Sequence, residues 1–191
     1  MQLARLVGLD VADTESIEVA GRDVLLVDRF DRGPGGSRRS FVSALTILGL
    51  NEMAGRHATY YDLADVVRRR FVERRATLHE LFARIAFNII IGNTDDHARN
   101  HAAFWDGERL ELTPAYDICP QARAGGEQAQ AMAIAPDGGR LSQLTTCLSA
   151  ANHYDLSESE ARLIIDNQIR VVTERWDEVA DDVGLTGPER R

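Results

Sequence analysis

The sequence predicts a mainly helical fold with a few short strands, which belongs to the α+β class. Two segments, 78–91 and 157–183, carry apolar residues at helical spacing. Two others, 17–27 and 101–112, contain strand-like runs on either side of a glycine turn and predict β-hairpins. With 191 residues, the chain is long enough for one domain with a full core, or for a small lobe and a larger one.

The composition is that of an ordinary globular protein, with 27% charged and 44% hydrophobic residues. The net charge of −8 makes the chain as a whole poorly suited to binding nucleic acid or an anionic membrane. Its two cysteines, Cys119 and Cys147, lack metal or redox spacing and indicate a reducing compartment. There is no apolar run approaching ~18 residues and no signal-peptide pattern. We therefore expect a cytoplasmic protein without direct contact to nucleic acid or membrane.

The first 37 residues predict a helix end, a hairpin and a connector. Residues 1–9 have the pattern of a last helical turn that reaches Gly8. Strands at 17–20 and 24–27 are joined by residues 21–23 and followed by a charged run at 28–32. Residues 33–37 are rich in glycine, but the Gly-Lys-Ser/Thr ending of a phosphate-binding loop is missing, so we expect a flexible connector.

Two helices are predicted next. Residues 40–50 predict a short apolar helix. Thr59–Asp62 has the pattern of a helix start, and the helix extends through Phe71 with Leu63, Val66 and Val67 facing inward. A basic cluster follows and is typical of a solvated helix end near the negative pole of the helix dipole. It consists of Arg68, Arg69, Arg70, Arg74 and Arg75.

The most strongly patterned element is the helix predicted from a capping box at 77–80 to Gly92-Asn93. Asn88 is the one polar residue in its apolar stripe. A helix this apolar is expected in the centre of the domain, where it can support the polar loop that follows it. The stripe consists of Leu78, Leu81, Phe82, Ile85, Ala86, Ile89, Ile90 and Ile91.

The remaining segments predict a hairpin, a strand and two helices. The hairpin pairs 101–105 with 109–112 around Asp106-Gly107. A short strand is predicted at 132–134 and a short helix at 143–150. The capping residues 157–160 begin a long amphipathic helix with a core-facing stripe. The stripe consists of Ile165, Ile169, Val172, Trp176, Val179 and Val183.

Between the central helix and the end of the second hairpin lies the densest group of polar residues in the chain. Such grouping is costly unless the residues bind something. Asp95 and Asn100 have the spacing at which a kinase catalytic loop places its base and its metal-binding Asn, and Tyr116-Asp117 stands where Asp-Phe-Gly would follow. The pattern predicts a phosphoryl-transfer site. The whole group is Asp95, Asp96, His97, Asn100, His101 and Asp117.

Asn93–Asn100 and Leu112–Asp117 closely resemble two motifs of the C-terminal domain of HipA-type toxin kinases. The resemblance extends from Leu3 to about Leu185. It implies a protein-kinase-like helical C-lobe, with a short N-terminal hinge hairpin and a small catalytic-loop hairpin. It also implies a toxin that phosphorylates Ser or Thr on a protein substrate, uses ATP and Mg²⁺, and works beside a HipB-like DNA-binding antitoxin.

The resemblance assigns roles to individual residues. It makes Asp95 the catalytic base, Asn100 and Asp117 the metal ligands, and the backbone of Asp28–Phe30 the hinge that meets adenine, with Tyr116 also at the nucleotide. His97 is expected to hydrogen-bond the catalytic loop, Arg99 to face phosphate or solvent, and Asp96 to be solvated. The cofactor-binding set is thus Asp28, Arg29, Phe30 and Tyr116, and the supporting set is His97 and Arg99.

Two parts that such a kinase needs are missing from this sequence. A kinase has a glycine-rich loop over the phosphates and a lysine on a strand before the hinge. Only residues 1–27 precede the hinge, and the 22 basic residues include no lysine. We expect residues 1–32 to be the hinge and a remnant of the N-lobe, and 33–191 to be the C-lobe. The chain would then be weakly active alone, or completed by a separate N-lobe chain.

Two alternatives use the same residues differently. Asp95, Asp96, His97, His101 and Asp117 could hold a divalent metal that activates water, which would make the protein a phosphohydrolase. His97 and His101 are four apart and would align only on a helix, which the neighbouring residues disfavour. The other alternative is a kinase-like binding module without catalytic activity.

Overall fold

The computed structural model describes residues 1–121 and 125–187. The chain folds into helices and a few short strands, in agreement with the predicted α+β class. In chain order, the elements are α1 (Gln2–Leu6), β1 (Thr14–Val19), β2 (Arg22–Val27), β3 (Phe41–Ser43), α2 (Ala44–Ile47), α3 (Tyr60–Arg70), α4 (Arg74–Ile91), β4 (Ala102–Trp105), β5 (Leu110–Leu112), α5 (Leu144–Ser149) and α6 (Glu158–Asp182).

Helix α4 is the centre of the fold and packs against α3, α5 and α6. Its predicted apolar stripe is buried from Leu78 to Ile89. The helix ends at Gly92, whose φ of 74° is left-handed and favours glycine. It begins earlier than the capping box indicated, at Arg74. Thr77 lies inside the first turn, where its N–H bonds to the Glu73 carbonyl at 2.8 Å.

The N-terminal hairpin of β1 and β2 is antiparallel and forms a separate two-stranded sheet. Its turn is Ala20-Gly21, both at positive φ, and Arg22 and Asp23 belong to β2 rather than to the predicted connection. Residues 33–37 contain a single 3-10 turn at Pro34–Gly36. All six residues of β2 are exposed, so the hairpin projects from the rest of the fold.

The predicted helix at 40–50 is wrong in its first half. Phe41–Ser43 is strand β3, which pairs with β4 in the antiparallel order β3-β4-β5. Helix α2 follows, and the Ser43 hydroxyl caps it by accepting from the Thr46 N–H at 3.4 Å. The apolar run was ambiguous, and the edge of β4, about 60 residues further on, decides its first half.

Three further elements refine the prediction. Met132–Ile134 is buried but forms only one bridge, between Ala133 and Thr59, and is not a strand. The capping box at Ser157 and Glu160 is present and begins α6. In α6, Ile165 and Val179 are buried as predicted. Ile169 and Val183 of the predicted stripe are exposed, and Gln168 is buried instead.

The chain's N-terminus packs against its last helix. Leu3, Leu9 and Val11 share a second core cluster with Phe87 of α4 and Val179 of α6. The first twelve residues therefore lie on the helical lobe, and the predicted division at residue 32 stays a prediction. None of the described helices has the length and apolar character needed to cross a bilayer.

Candidate active site

A cleft of about 620 Å³ lies between the hairpin and the segment that follows β5. Asp28, Arg29 and Phe30 line one side, and Tyr116 and Asp117 line the other. Segments almost 90 residues apart, which the family resemblance assigned to one nucleotide site, thus border the same cavity. Its volume is within the range of about 300–1,000 Å³ that is typical of small-molecule sites.

The predicted hinge is held in place from both sides. The Phe30 ring lies 5.7 Å from the Tyr116 ring and 5.8 Å from the Phe104 ring on β4. The Arg29 guanidinium makes two bonds of 2.8 and 2.7 Å to the largely buried Asp31 carboxylate. Hydrogen bonding to Arg29 lowers the pKa of Asp31. The Arg29 side chain is therefore occupied within the hinge, which leaves its backbone to meet a ligand.

The loop after α4 presents Asp95 to solvent and holds Asn100 inside. Asp95 is exposed, whereas Asn100 is only 7% exposed. The Asn100 side-chain nitrogen contacts the Asp95 carbonyl at 3.5 Å, and its backbone N–H bonds to the His97 carbonyl at 2.8 Å. The carboxamide oxygen Oδ1 is then the atom through which Asn100 would contact a cation.

A hydrogen bond joins the two predicted motifs. Tyr116 donates its hydroxyl to the backbone carbonyl of Arg99 at 2.6 Å, so the residue before Asp117 is fixed to the loop that carries Asp95 and Asn100. The Arg99 side chain is directed elsewhere and forms an ion pair with Glu52. Burial, followed by the charge of Asp117, raises the pKa of Tyr116 to about 12, so the hydroxyl remains a donor at neutral pH.

Asp117 has a left-handed backbone, with φ of 57°. Asp tolerates this conformation better than most residues, and such strain is concentrated at functional sites. The segment before it is anchored to the N-terminus, because the Ala115 N–H bonds to the Asp10 carbonyl at 2.8 Å. Arg84, a buried residue of α4, donates to the carbonyls of Asp10 and Thr113 at 3.2 and 3.0 Å.

Asp96, which was expected to be solvated, is buried beneath the loop. One of its carboxylate oxygens, Oδ2, accepts from the Tyr60 hydroxyl at 2.5 Å, from Asn88 Nδ2 at 2.7 Å and from His101 Nε2 at 3.0 Å. Burial alone would raise the pKa of Asp96, but the charge of His101 and these three bonds outweigh it and lower the pKa. The three hydrogen-bond donors therefore stabilise the buried, charged form of Asp96.

The supporting role expected for His97 belongs to His101. The Nδ1 atom of His97 is enclosed and has no hydrogen-bond partner among residues 1–121 and 125–187, whereas His101 holds Asp96. In the same part of the chain, no three His, Cys, Asp or Glu side chains are grouped so as to hold a metal. The phosphohydrolase alternative, which required such a group, therefore has no support from this geometry.

One signal in the sequence could have indicated that Asp96 is buried and hydrogen-bonded. Asn88 interrupts the apolar stripe of a buried helix, and a buried amide requires a hydrogen-bond partner. The polar residues that follow the turn at Gly92 are Asn93, Thr94 and the Asp95-Asp96 pair. In the structure, Asn88 bonds to both Asn93 and Asp96.

Comparison with known proteins decides the family. The family model described as the HipA-like C-terminal domain matches residues 1–176. The chain belongs to this family.

Two curated relatives of this HipA-like chain are kinases by name. A putative kinase Y4mE from Sinorhizobium fredii is 29% identical over 126 residues, which cover 62% of this chain and 30% of the relative. The serine/threonine-protein kinase toxin HipA from Shewanella oneidensis is 28% identical over 140 residues, which cover 62% of this chain and 32% of the toxin. The chain thus spans about a third of the length of the curated relatives it matches.

Solved structures show the same fold. HipA in the Shewanella oneidensis complex with HipB and operator DNA matches with a TM-score of 0.81 and 22% identity, over 94% of this chain and 47% of that chain. The Helicobacter pylori proinflammatory kinase CtkA matches with a TM-score of 0.61 and 15% identity, over 94% of this chain and 80% of that chain. The predicted kinase-like lobe is therefore confirmed as the fold of this HipA-like chain.

Proposed function

We propose that this chain is the C-lobe of a HipA-like Ser/Thr protein kinase that transfers the ATP γ-phosphate to a protein hydroxyl. The observation that carries the proposal is the link made by Tyr116. Its ring borders the cleft beside the hinge residue Phe30, and its hydroxyl bonds to the loop of Asp95 and Asn100. A nucleotide in the cleft would therefore contact the Tyr116-Asp117 motif, and the hydrogen bond of Tyr116 connects that motif to the loop of Asp95 and Asn100, which does not itself line the cleft.

Each predicted site residue has a place in this proposal. Asp95, exposed at the loop, would orient the acceptor hydroxyl and accept its proton. Asn100 and Asp117 would hold Mg²⁺, whose preferred ligands are oxygens such as the carboxamide Oδ1 and the carboxylate. The ion would neutralise charge on the phosphates when bound. That the Asn100 and Asp117 side chains converge on one ion remains a prediction.

The hinge offers backbone groups to adenine. The Asp28 N–H is occupied by the Asp13 carbonyl at 2.8 Å, and the Arg29 carbonyl accepts from the Arg32 N–H at 3.0 Å. The predicted adenine contacts therefore reduce to the carbonyls of Asp28 and Phe30 and the N–H groups of Arg29 and Phe30. Each such bond contributes only about 0.5–1.5 kcal/mol net.

These groups alone would bind Mg-ATP weakly. The chain has no lysine, so no lysine of its own can neutralise the phosphates. The hairpin also exposes apolar side chains on both faces, since Leu25 and Leu26 are 62% and 43% exposed although they are consecutive in β2. Such a two-stranded sheet is marginal alone and fits the edge of a larger one. We infer that an N-lobe, in this chain's longer form or in a separate chain, completes the site.

The remaining expectations follow from the family. A HipB-like DNA-binding antitoxin is proposed as partner because the Shewanella HipA structure contains HipB and operator DNA. A toxin of this type would act on a protein substrate in the cytoplasm. A non-catalytic binding module is the alternative if the site proves inactive with an N-lobe present.

Transfer of γ-phosphate from labelled ATP tests the proposal, with calorimetry to measure Mg-ATP binding. For the 191-residue chain alone, we expect weak binding and little turnover. Adding an N-lobe chain, taken from the part of Shewanella HipA outside the match, should produce turnover that Asp95→Asn abolishes. Absence of turnover in both cases would contradict the kinase proposal. Tight binding and steady turnover by the chain alone would instead show that no N-lobe is needed.

A further inference from the structure

A second cavity, of about 240 Å³, lies on another side of the catalytic loop. Its walls include His97, Ala98 and Arg99 of that loop, with Glu52 and Arg56 opposite. It shares no lining residue with the larger cleft. Its volume is below the range of about 300–1,000 Å³ typical of small-molecule sites, and it suits a single side chain.

Arg99 is the boundary between the two cavities. Its carbonyl accepts the Tyr116 hydroxyl beside the nucleotide cleft, while its side chain lines the smaller cavity and pairs with Glu52. Arg99, which lines the smaller cavity, is followed directly by the proposed metal ligand Asn100 and lies four positions after Asp95 in the sequence. Residues of the loop that carries Asp95 thus form part of the wall of the smaller cavity.

The charges of the smaller cavity favour an anion. Arg99 is already neutralised by Glu52, but Arg56 forms no ion pair with any residue in the described part of the chain. The Arg56 backbone is fixed, because its carbonyl accepts from Arg140 at 2.7 Å, while its side chain is exposed. Of the two arginines that line this cavity, Arg56 is thus the one without an ion-pair partner in the described part of the chain.

The rim of this cavity has the character of a protein-binding surface. The 3-10 segment Glu52–His57 buries none of its residues. Met53, next to Glu52, is 77% exposed. Exposed methionines adapt their shape to apolar partners and are common at protein-binding surfaces.

We propose that this cavity is an acceptor-protein subsite that binds an acidic side chain near the Ser or Thr to be phosphorylated. Arg56 would donate to the carboxylate, and Met53 would contact the apolar surface beside it. The proposal rests on the kinase function proposed above and adds a substrate preference to it. The same cavity chemistry would also accept the phosphate of a previously phosphorylated residue.

The test measures binding of fluorescein-labelled serine peptides to the 191-residue chain by fluorescence polarisation. A single residue at each position from four before to four after the serine is set to Glu, Gln or phosphoserine. Because the Arg56 side chain is exposed, we expect Glu to bind at most about fivefold tighter than Gln at one position, the upper end for an exposed ion pair. Arg56→Gln should reduce that preference below about twofold, and added salt should weaken it.

Arg69→Gln is the matched control, because Arg69 is an exposed arginine on α3 outside both cavities. It should keep the preference, and thermal melts should show both variants folded. Equal binding of Glu and Gln at every position, or a preference that survives Arg56→Gln, would overturn the subsite. Stronger, Arg56-dependent binding of phosphoserine would support the anion subsite and assign it to a phosphorylated residue.

The binding assay needs no phosphoryl transfer, so the two proposals fail separately. An Arg56-dependent acidic preference without any Asp95-dependent transfer would keep the subsite and overturn the kinase. Transfer that is indifferent to acidic residues and to Arg56→Gln would keep the kinase and overturn the subsite.

Discussion

The hydroxyl of Tyr116 lies 2.6 Å from the carbonyl oxygen of Arg99, and this contact joins the two halves of the candidate site. The residue after Tyr116 is the proposed metal ligand Asp117, and the residue after Arg99 is the proposed metal ligand Asn100. A single hydrogen bond therefore connects the segments of two proposed ligands that are 17 positions apart in the sequence.

Tyr116→Phe should loosen that connection with little loss of stability. The bond contributes about 0.5–1.5 kcal/mol net, so the variant should remain folded in urea denaturation. In the chain completed by an N-lobe, Mg-ATP affinity and turnover should both fall. Tyr61→Phe, on α3, is the control and should leave both unchanged. A Tyr116→Phe variant with normal Mg-ATP affinity would show that the bond does not position the metal ligands.

Tyr60 and Tyr116 should ionise at a higher pH than an exposed tyrosine does, and absorbance at 295 nm during a pH titration can follow this. Burial is the first cause in each case, and it raises the pKa of Tyr116 to about 12 and that of Tyr60 well above its ordinary value. Because the folded pKa lies above the unfolded value of about 10, the stability contribution is intact below pH 10 and is lost as the pH rises toward 12. Tyr116→Phe should remove one of these late transitions. If Tyr60 and Tyr116 both ionised near pH 10 in the folded protein, their burial would be contradicted.

Asp95 and Asp96 are neighbours, but alanine substitution should affect phosphoryl transfer at Asp95 and stability at Asp96. Asp96→Ala leaves the Tyr60, Asn88 and His101 donors without their acceptor. Each unsatisfied group costs about 1–3 kcal/mol, so the free energy of unfolding should fall by at least about 3 kcal/mol. Asp95→Ala, at an exposed position, should change it by less than about 0.5 kcal/mol and abolish phosphoryl transfer.

The free energy of unfolding at acid pH should also distinguish Asp96 from Asp95. Because the pKa of Asp96 is lowered in the fold, its stabilisation is present above the unfolded pKa of about 3.9 and is lost as the pH falls below it. Urea denaturation between pH 5 and 2 should show this loss in the wild type and in Asp95→Ala. It should be smaller in Asp96→Ala. Equal acid dependence in all three proteins would contradict the charged state of Asp96.

The helices and the motif positions could be predicted because their signals are local. The apolar stripe of α4, the capping box of α6 and the Asp106-Gly107 turn each lie within a few consecutive residues. Spacing likewise identified the Asp95, Asn100 and Asp117 motifs. Such signals depend on residues whose geometry is set by the next turn of the same element.

What the sequence could not predict depends on distant partners. Phe41–Ser43 is a strand because β4 offers it an edge, although the same residues would also fit a helix. The burial of Asp96 depends on Tyr60, 36 positions earlier, whose hydroxyl donates a hydrogen bond to its carboxylate. The identity of the supporting histidine depended on the same contact, since Asp96 selects His101 and not His97. Local patterns contain no information about which distant side chain will meet them.

Arg84 should prove to be a structural link between the N-terminus and the segment of the proposed metal ligand Asp117. Its guanidinium holds the Asp10 and Thr113 carbonyls and pairs with Glu80 at 2.8 Å. Arg84→Met keeps most of the apolar stem but leaves these acceptors unmatched, at about 1–3 kcal/mol for each group that stays buried. Arg162→Met removes an exposed pair with Glu158 and should change stability by less than about 1 kcal/mol. Similar urea midpoints for the two variants would contradict the link.

The left-handed backbone of Asp117 predicts that two small substitutions there will differ in stability. A left-handed residue other than glycine is strained by about 1–2 kcal/mol, and glycine relieves this strain. Glycine also adds about 0.4–1 kcal/mol of chain entropy to the unfolded state, which opposes the gain. Asp117→Gly should therefore be more stable than Asp117→Ala by about 0.5–1 kcal/mol in urea denaturation. Ala20→Gly, at φ of 54° in the hairpin turn, is the matched control and should gain a similar amount over the wild type.

Mg-ATP binding should be lost in both Asp117 variants, although their free energies of unfolding differ. Both Asp117 variants lose the carboxylate, so calorimetry on the chain completed by an N-lobe should show Mg-ATP binding lost in each. Ala20→Gly should bind as the wild type does, which separates backbone strain from metal binding. If Asp117→Gly were more stable than Asp117→Ala and neither bound Mg-ATP, the strained backbone at Asp117 would be explained by the need for its carboxylate in metal binding. If either Asp117 variant kept normal Mg-ATP affinity, Asp117 would not be the metal ligand.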